Sequence, residues 1–174
     1  GFSFETISGE KEAKLALRGA LLDTMKPQDT LGVDVGGGST EFATDGFFQS
    51  LQMGSVRFTE RYLQTDPVTD QEFWQCQAAI DQALNSLNSL PKRENFLAIA
   101  GTATTLASWF LKLDEFQPNA IESVKMTAGD LHRLVSELKW RSIQERKEEI
   151  KIEPQRADVL LAGAMILWRT MEVL

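Results

Sequence analysis

The feature that most restricts what this chain can become is residues 31–41, Leu-Gly-Val-Asp-Val-Gly-Gly-Gly-Ser-Thr-Glu, where an apolar alternation runs through one acid into three glycines and two hydroxyls. Leu31, Val33 and Val35 alternate as a half-buried strand requires, so Asp34 projects to the opposite face near the strand end. A carboxylate there can hold a hard cation. Gly36, Gly37 and Gly38 lack a Cβ and can take positive φ, which lets successive N–H groups converge into an anion-binding concavity beside the hydroxyls of Ser39 and Thr40. The stretch reads as a phosphate-handling loop. The same residues also suit a plain glycine-rich hairpin turn capped by an acid.

The residues after the glycines separate this loop from commoner ones. Residues 40–44, then Asp45 and Gly46, then residues 47–53 read as two strands joined at an Asp-Gly turn. A P-loop needs a helix after the glycines and a Lys-Ser/Thr pair, and a dinucleotide fingerprint needs G-x-G-x-x-G opening a helix. Neither pattern is present.

With 174 residues the chain suits one domain, or a domain with a small appendage. Its 43% apolar and 25% charged residues are too apolar for disorder. The net charge of −7 argues against nonspecific attraction to nucleic acid or acidic lipid. One cysteine, Cys76, excludes an internal disulfide and a Cys-rich zinc site. No signal-like start and no apolar run near 18 residues is seen, so the reading is a cytoplasmic protein without a membrane partner. The first residues resemble the middle of a strand and lack an initiator Met, which predicts a piece cut from something longer.

Residues 2–7 alternate as a strand, and residues 10–25 carry Ala13, Ala16, Leu17, Ala20 and Leu21 on one helical face, with Ser8 placed as N-cap and Pro27 as the stop. Glu10 and Glu12 fall in the first turn, where the helix dipole favours acids. Gly54 opens a turn and a short helix through Tyr62. Thr69 and Glu72 match a capping box opening a helix to about Leu90, with Phe73, Cys76, Ile80, Leu84 and Leu87 inward and Trp74 in packing or at an edge. Residues 96–100 suit a buried strand. Gly101 and Thr102 then begin a helix whose N-terminus could make a second phosphate contact, although a Thr N-cap on an ordinary turn fits as well. Thr127 and Asp130 start another helix, with His132 off its apolar face and at the surface. Ser142 and Glu145 open a charged helix, and the run Arg146, Lys147, Glu148 and Glu149 reads as a solvated face with local ion pairs. The final helix, from Ala157 to Leu174, has an apolar stripe of Leu160, Leu161, Ala164, Leu167 and Met171. Ala162, Gly163 and Ala164 would allow close packing, either inside the domain or against a second copy as a homodimer.

Five segments, in order, resemble the exopolyphosphatase / guanosine pentaphosphate phosphohydrolase (Ppx/GppA) family: residues 7–13, 34–41, 54–57, 101–106 and 156–163. The glycine loop alone would point only to the wider actin, sugar kinase and heat-shock ATPase-like superfamily. The resemblance implies an α/β, ribonuclease H-like or actin-like ATPase domain: a mixed sheet with a β-hairpin phosphate loop and helices on both faces. Residues 1–29 would form a strand and an interdomain helix. Residues 30–174 would be the second actin-like domain of a two-domain bacterial phosphatase whose first domain and final strand are absent.

By the same resemblance Asp34 would place Mg2+. Gly36, Gly37, Gly38, Ser39, Thr40, Gly101 and Thr102 would hold phosphates, Glu41 and Glu12 would orient water or metal, and Arg156 would meet a distal phosphate or brace the site. The implied reaction is magnesium-assisted release of terminal phosphate from inorganic polyphosphate or from guanosine pentaphosphate, a nucleotide of the stringent response. The alternative is a non-catalytic module binding polyphosphate or ppGpp. In the family the first phosphate loop and the general base precede the segment matching residues 7–13, and a further strand follows the last helix. This chain alone is therefore expected to bind phosphate weakly and hydrolyse little, needing the missing N-terminal domain.

Overall fold

The computed structural model describes residues 6–20, 26–90 and 92–174, apart from the side chains of Glu10, Ala13, Lys14 and Leu17. The expected strand over residues 2–7 falls mostly outside that description, as do the expected helical residues 21–25.

Among the described residues four strands form one mixed sheet. β1 (Thr30–Val35), β2 (Thr40–Thr44) and β3 (Phe47–Leu51) make an antiparallel meander, and β4 (Asn95–Ile99) returns parallel to β1, giving the order β3-β2-β1-β4. The two-residue turn between β2 and β3 is closed by Gly46 at φ 77°, a left-handed conformation that glycine adopts without Cβ strain. Its length sets the register Thr44↔Phe47, Phe42↔Gln49 and Glu41↔Ser50. β4 lies at the sheet edge and is half-buried throughout, not fully buried as its apolar composition predicted.

Eight helices complete the described fold: α1 (Gly9–Ala20), α2 (Ser55–Tyr62), α3 (Asp70–Leu84), α4 (Ala100–Phe110), α5 (Pro118–Ser123), α6 (Ala128–Trp140), α7 (Ile143–Glu149) and α8 (Leu160–Val173). Three begin with capping boxes, formed by Thr69 and Glu72, Thr127 and Asp130, and Ser142 and Glu145. Each satisfies the N-cap and N3 backbone donors reciprocally. α3 stops at Leu84 and tightens into a 3-10 turn, so it is shorter than its apolar pattern implied, yet Phe73, Cys76, Ile80, Leu84 and Leu87 are all buried. α1 packs across β2, β3 and β4, while α4 and α8 pack on β1. Leu31, Val33, Val35 and Phe42 join the core with α3, α6 and α8, and the small buried pair Gly32↔Ala43 lies on the other face, that of Asp34 and Glu41.

α8 is the centre of the core. Every residue from Leu160 to Trp168 is buried, so the stripe is covered inside the domain up to Leu167, while Met171 is half-buried. Gly163 permits this: a Cβ there would lie 2.6 Å from Thr102 Cγ2 on α4 and 3.5 Å from Ser55 Cβ on α2.

One expectation is overturned on α7. Arg146 is not on a solvated face; it is 2% exposed, its Nε donates to Leu138 O at 2.9 Å, and Nη1 donates to Ala157 O at 3.4 Å. A cation thereby meets the carbonyl end of α6, where the helix dipole favours it. Burial lowers its pKa from the usual arginine value, opposed by Asp66 and Asp158. His132 is exposed as expected, with its ring stacked on Trp168 at 4.7 Å. No helix among the described residues is long and apolar enough to cross a membrane.

Candidate functional site

The glycine loop achieves its shape by a route other than the expected one. Gly46 is the only described glycine at positive φ, so Gly36, Gly37 and Gly38 do not use the left-handed region. Their carbonyls are tied to the start of α2. Gly36 O accepts from Ser55 N at 2.8 Å and Ser55 Oγ at 3.2 Å, Gly37 O from Arg57 N at 2.9 Å, and Gly38 O from Arg57 Nε at 2.6 Å. In a trans peptide the N–H points opposite to the C=O. The N–H groups of Gly37, Gly38 and Ser39 are therefore turned away from α2, and none has a hydrogen-bond partner among the described residues. Gly36 N–H donates to Ser39 O at 3.0 Å and closes the turn. Gly54 allows the approach: a Cβ there would lie 2.5 Å from the carbonyl of Gly37. The result is a row of outward donors suited to an anion.

Beside the loop runs a polar row across three strands. The pairing Asp34↔Glu41↔Ser50 puts all three side chains on one sheet face. Glu41 Oε1 accepts from Ser39 Oγ at 2.6 Å and Ser50 Oγ at 2.7 Å. No partner holds Oε2 among the described residues. The pKa of Asp34 is raised by burial, then by the charges of Glu41 and of Glu12 on α1, the helix that packs across β2, β3 and β4.

The expected hydroxyls divide. Ser39 reaches the row through Glu41, but Thr40 is fully buried and its Oγ1 donates inward to Met53 O at 2.5 Å. Thr102 is also buried, its Oγ1 donating to Val35 O at 3.2 Å. Both hydroxyls brace the strand ends, each spent on a backbone carbonyl in the interior and not turned to the loop opening.

α4 begins directly after Ile99, which pairs with Asp34, so its N-terminus stands at the carboxyl end of the parallel pair β1 and β4. Ligands in open α/β sheets bind at such ends. Ala100 takes φ 67° at the strand-to-helix turn, an uncommon conformation for a residue with a Cβ. Against Gly101 lies the guanidinium of Arg156, whose Cζ would be 2.4 Å from a Cβ built on that glycine.

The profile of the Ppx/GppA phosphatase family matches residues 1–174. The chain belongs to that family. Exopolyphosphatase 2 of Mycobacterium tuberculosis is 30% identical over 175 residues, which cover 96% of this chain and 55% of that protein. The Ppx/GppA phosphatase of Aquifex aeolicus has a similar fold, with a TM-score of 0.86 and 27% identity over 96% of this chain and 57% of that one. A crystal structure of an exopolyphosphatase-like protein gives a TM-score of 0.82 at 28% identity over 94% and 56%. The chain thus spans about half the length of the relatives it matches. Its mixed sheet flanked by helices is the ribonuclease H-like, actin-like architecture of these Ppx/GppA structures.

Within this Ppx/GppA fold the donor set fits a small hard cation held by few protein ligands. Among the described residues no group of three or more acids, histidines or cysteines could enclose a metal alone. Magnesium, however, keeps several waters and is commonly held by one or two carboxylates plus substrate phosphates. Asp34, burdened by burial and two like charges, supplies that kind of carboxylate.

Three contributors had no role assigned from sequence. Ser50 was readable, because a two-residue turn at Asp45 and Gly46 dictates its position opposite Glu41. Gly54 and Arg57 lay in a matching segment, but only the loop's carbonyl anchoring reveals their part.

Proposed function

We propose that this chain is the phosphate-holding part of a phosphoanhydride hydrolase that releases terminal phosphate from linear inorganic polyphosphate. The single observation that carries the reading is the set of N–H groups at Gly37, Gly38 and Ser39, left outward by carbonyl anchoring beside Asp34 and Glu41. Fixed donors of this kind stabilise charge on the equatorial oxygens of a transferring phosphoryl group and need no reorganisation as it develops. Glu41 positions water with Oε2 while Ser39 and Ser50 hold Oε1. Asp34, with Glu41 and Glu12 nearby, would hold magnesium, which when bound neutralises phosphate charge. Gly101 and Arg156 meet a further phosphate of the chain. The relatives named exopolyphosphatase support polyphosphate, and the residues gathered here suit phosphate and cation. Guanosine pentaphosphate is the substrate this reading places second.

A second reading, a binding module without turnover, draws on one observation: Glu41, the acid facing the loop, has one oxygen committed to two hydroxyls. Titration of the 174-residue chain with polyphosphate and with guanosine pentaphosphate, with and without magnesium, tests both readings when phosphate release is followed in the same samples. The proposal expects magnesium-dependent binding that favours polyphosphate, with slow release because the general base belongs to another part of the parent enzyme. Magnesium-independent binding, or none, would remove the Asp34 role. Rapid release abolished by Asp34→Ala would show that the base is already present.

A further inference from the structure

The turn that delivers Arg156 is built around a residue in a disfavoured conformation. Glu153 holds φ 55° and ψ 49°, the left-handed region, although it carries a Cβ. Such a residue persists where its surroundings over-determine it, and such sites cluster where a side chain must be presented in one way. Two contacts hold Glu153. Thr105 Oγ1 on α4 lies 2.8 Å from Glu153 Oε2, and that same oxygen forms an ion pair with Arg156 Nε across 3.2 Å, outside hydrogen-bonding alignment. Thr105 Oγ1 also lies 2.8 Å from Gly101 O, and its single proton serves one acceptor at a time; donated to Glu153 Oε2, it ties the turn to α4.

The consequence is a guanidinium fixed by its side and free at its fork. A Cβ on Gly101 would lie 2.4 Å from Arg156 Nη2 and 2.7 Å from Nη1, so the fork rests against the first turn of α4. Neither Nη1 nor Nη2 has an acceptor among the described residues, and the N-cap of α4, Ile99, brings no side-chain acceptor. Glu153 balances the guanidinium from its Nε side, so the fork and the positive helix end face one space with no protein acceptor on Nη1 or Nη2 among the described residues.

We infer that Glu153 is a positioning residue: braced by Thr105, it holds Arg156 on its Nε side so that Nη1, Nη2 and the first N–H groups of α4 close on one phosphate group together. This rests on the phosphate-holding reading of Gly101 and Arg156 above. A carboxylate serving only as counter-ion would instead take the fork, and its removal would strengthen anion binding.

Calorimetric titration of the 174-residue chain with tripolyphosphate in magnesium tests the inference with four variants. Arg156→Ala is expected to weaken binding roughly tenfold or more, the loss of charge-assisted hydrogen bonds. Glu153→Gly accepts φ 55° without strain, so its thermal midpoint should not fall while its affinity drops several-fold. In the double variant the Glu153 change should cost nothing beyond Arg156→Ala. Glu153→Gln, which can still accept from Thr105, should lie between wild type and Glu153→Gly and carries the test if the glycine variant fails to fold. Wild-type or tighter binding by Glu153→Gly and Glu153→Gln would overturn the positioning role, as would an equal loss in the Arg156→Ala background. If wild type does not bind, or Arg156→Ala changes nothing, the phosphate-holding reading falls and this inference with it.

Discussion

Asp34 is a carboxylate kept where its own charge is disfavoured. Burial, Glu41 and Glu12 all raise its pKa above the ordinary aspartate value, so the folded chain binds its proton more tightly than the unfolded chain does. Stability from this group is therefore lost as pH rises from the unfolded pKa through the raised folded one. Asp34→Asn should raise the thermal midpoint of the metal-free chain at about pH 7. Added magnesium should raise the wild-type midpoint by mass action and leave the variant unmoved. A variant no more stable than wild type would show that the like charges are already relieved. Arg146 presents the opposite case, a buried charge whose donors are needed by Leu138 O and Ala157 O. Arg146→Met should cost about 2–3 kcal/mol in urea denaturation. Asp34 was legible because strand alternation ends at it, whereas Arg146 was not: the sequence around it, charge next to charge, is what a solvated helix face also shows. Thr40 and Thr102 mislead for a related reason, since a hydroxyl beside glycines looks the same whether it faces an anion or a buried carbonyl.

Among the elements, helix starts were the most legible. Thr69, Thr127 and Ser142 each precede an acid at N3, and each forms the reciprocal cap that spacing alone predicts. Element contacts were less so, because they depend on distances between segments far apart in the chain. Gly163 shows this: its lack of a Cβ lets α8 touch Thr102 on α4 and Ser55 on α2 at one point, so a single helix supports both the glycine loop and the start of α4. Ser55 in turn holds Gly36 O, and Thr102 holds Val35 O. Gly163→Ala must push on both, at a cost of about 1–3 kcal/mol for overpacking a close contact. Gly54→Ala meets backbone instead of side chain and should cost at least as much, displacing the carbonyl of Gly37. Both variants should lose polyphosphate affinity in titration beyond what their stability predicts, since the outward N–H groups move with the loop. A Gly54→Ala chain that binds as wild type would mean that the anchoring to α2 does not set the donors.

Taken as one molecule, the chain should be acid-labile, and the reason lies in where its shifted carboxylates sit. Burial resists ionisation of Glu72, but donors from Thr65, Thr69 and Gln64 outweigh it and bring its pKa down to about 2. Asp130 and Glu145, in the matching positions of α6 and α7, are lowered by the hydrogen bonds of Thr127 and Ser142. In each the folded state prefers the charged form, so the stability it contributes is complete above the unfolded pKa and drains as pH falls through the folded one. For Glu72 that window runs from its ordinary value of 4.5 down to about 2. Asp34 works against this trend, since protonation relieves it, but it is one group set against three. The caps start α3, α6 and α7, and α3 and α6 both pack on α8, so their loosening reaches the same core that holds the two loops. Urea midpoints should therefore fall steadily from about pH 5 to about pH 2.5. Glu72→Gln, which keeps the shape of the cap and removes the titrating charge, should start lower at about pH 5 and follow a shallower slope. Parallel slopes for the two proteins would place the acid sensitivity elsewhere and leave Glu72 a local cap only.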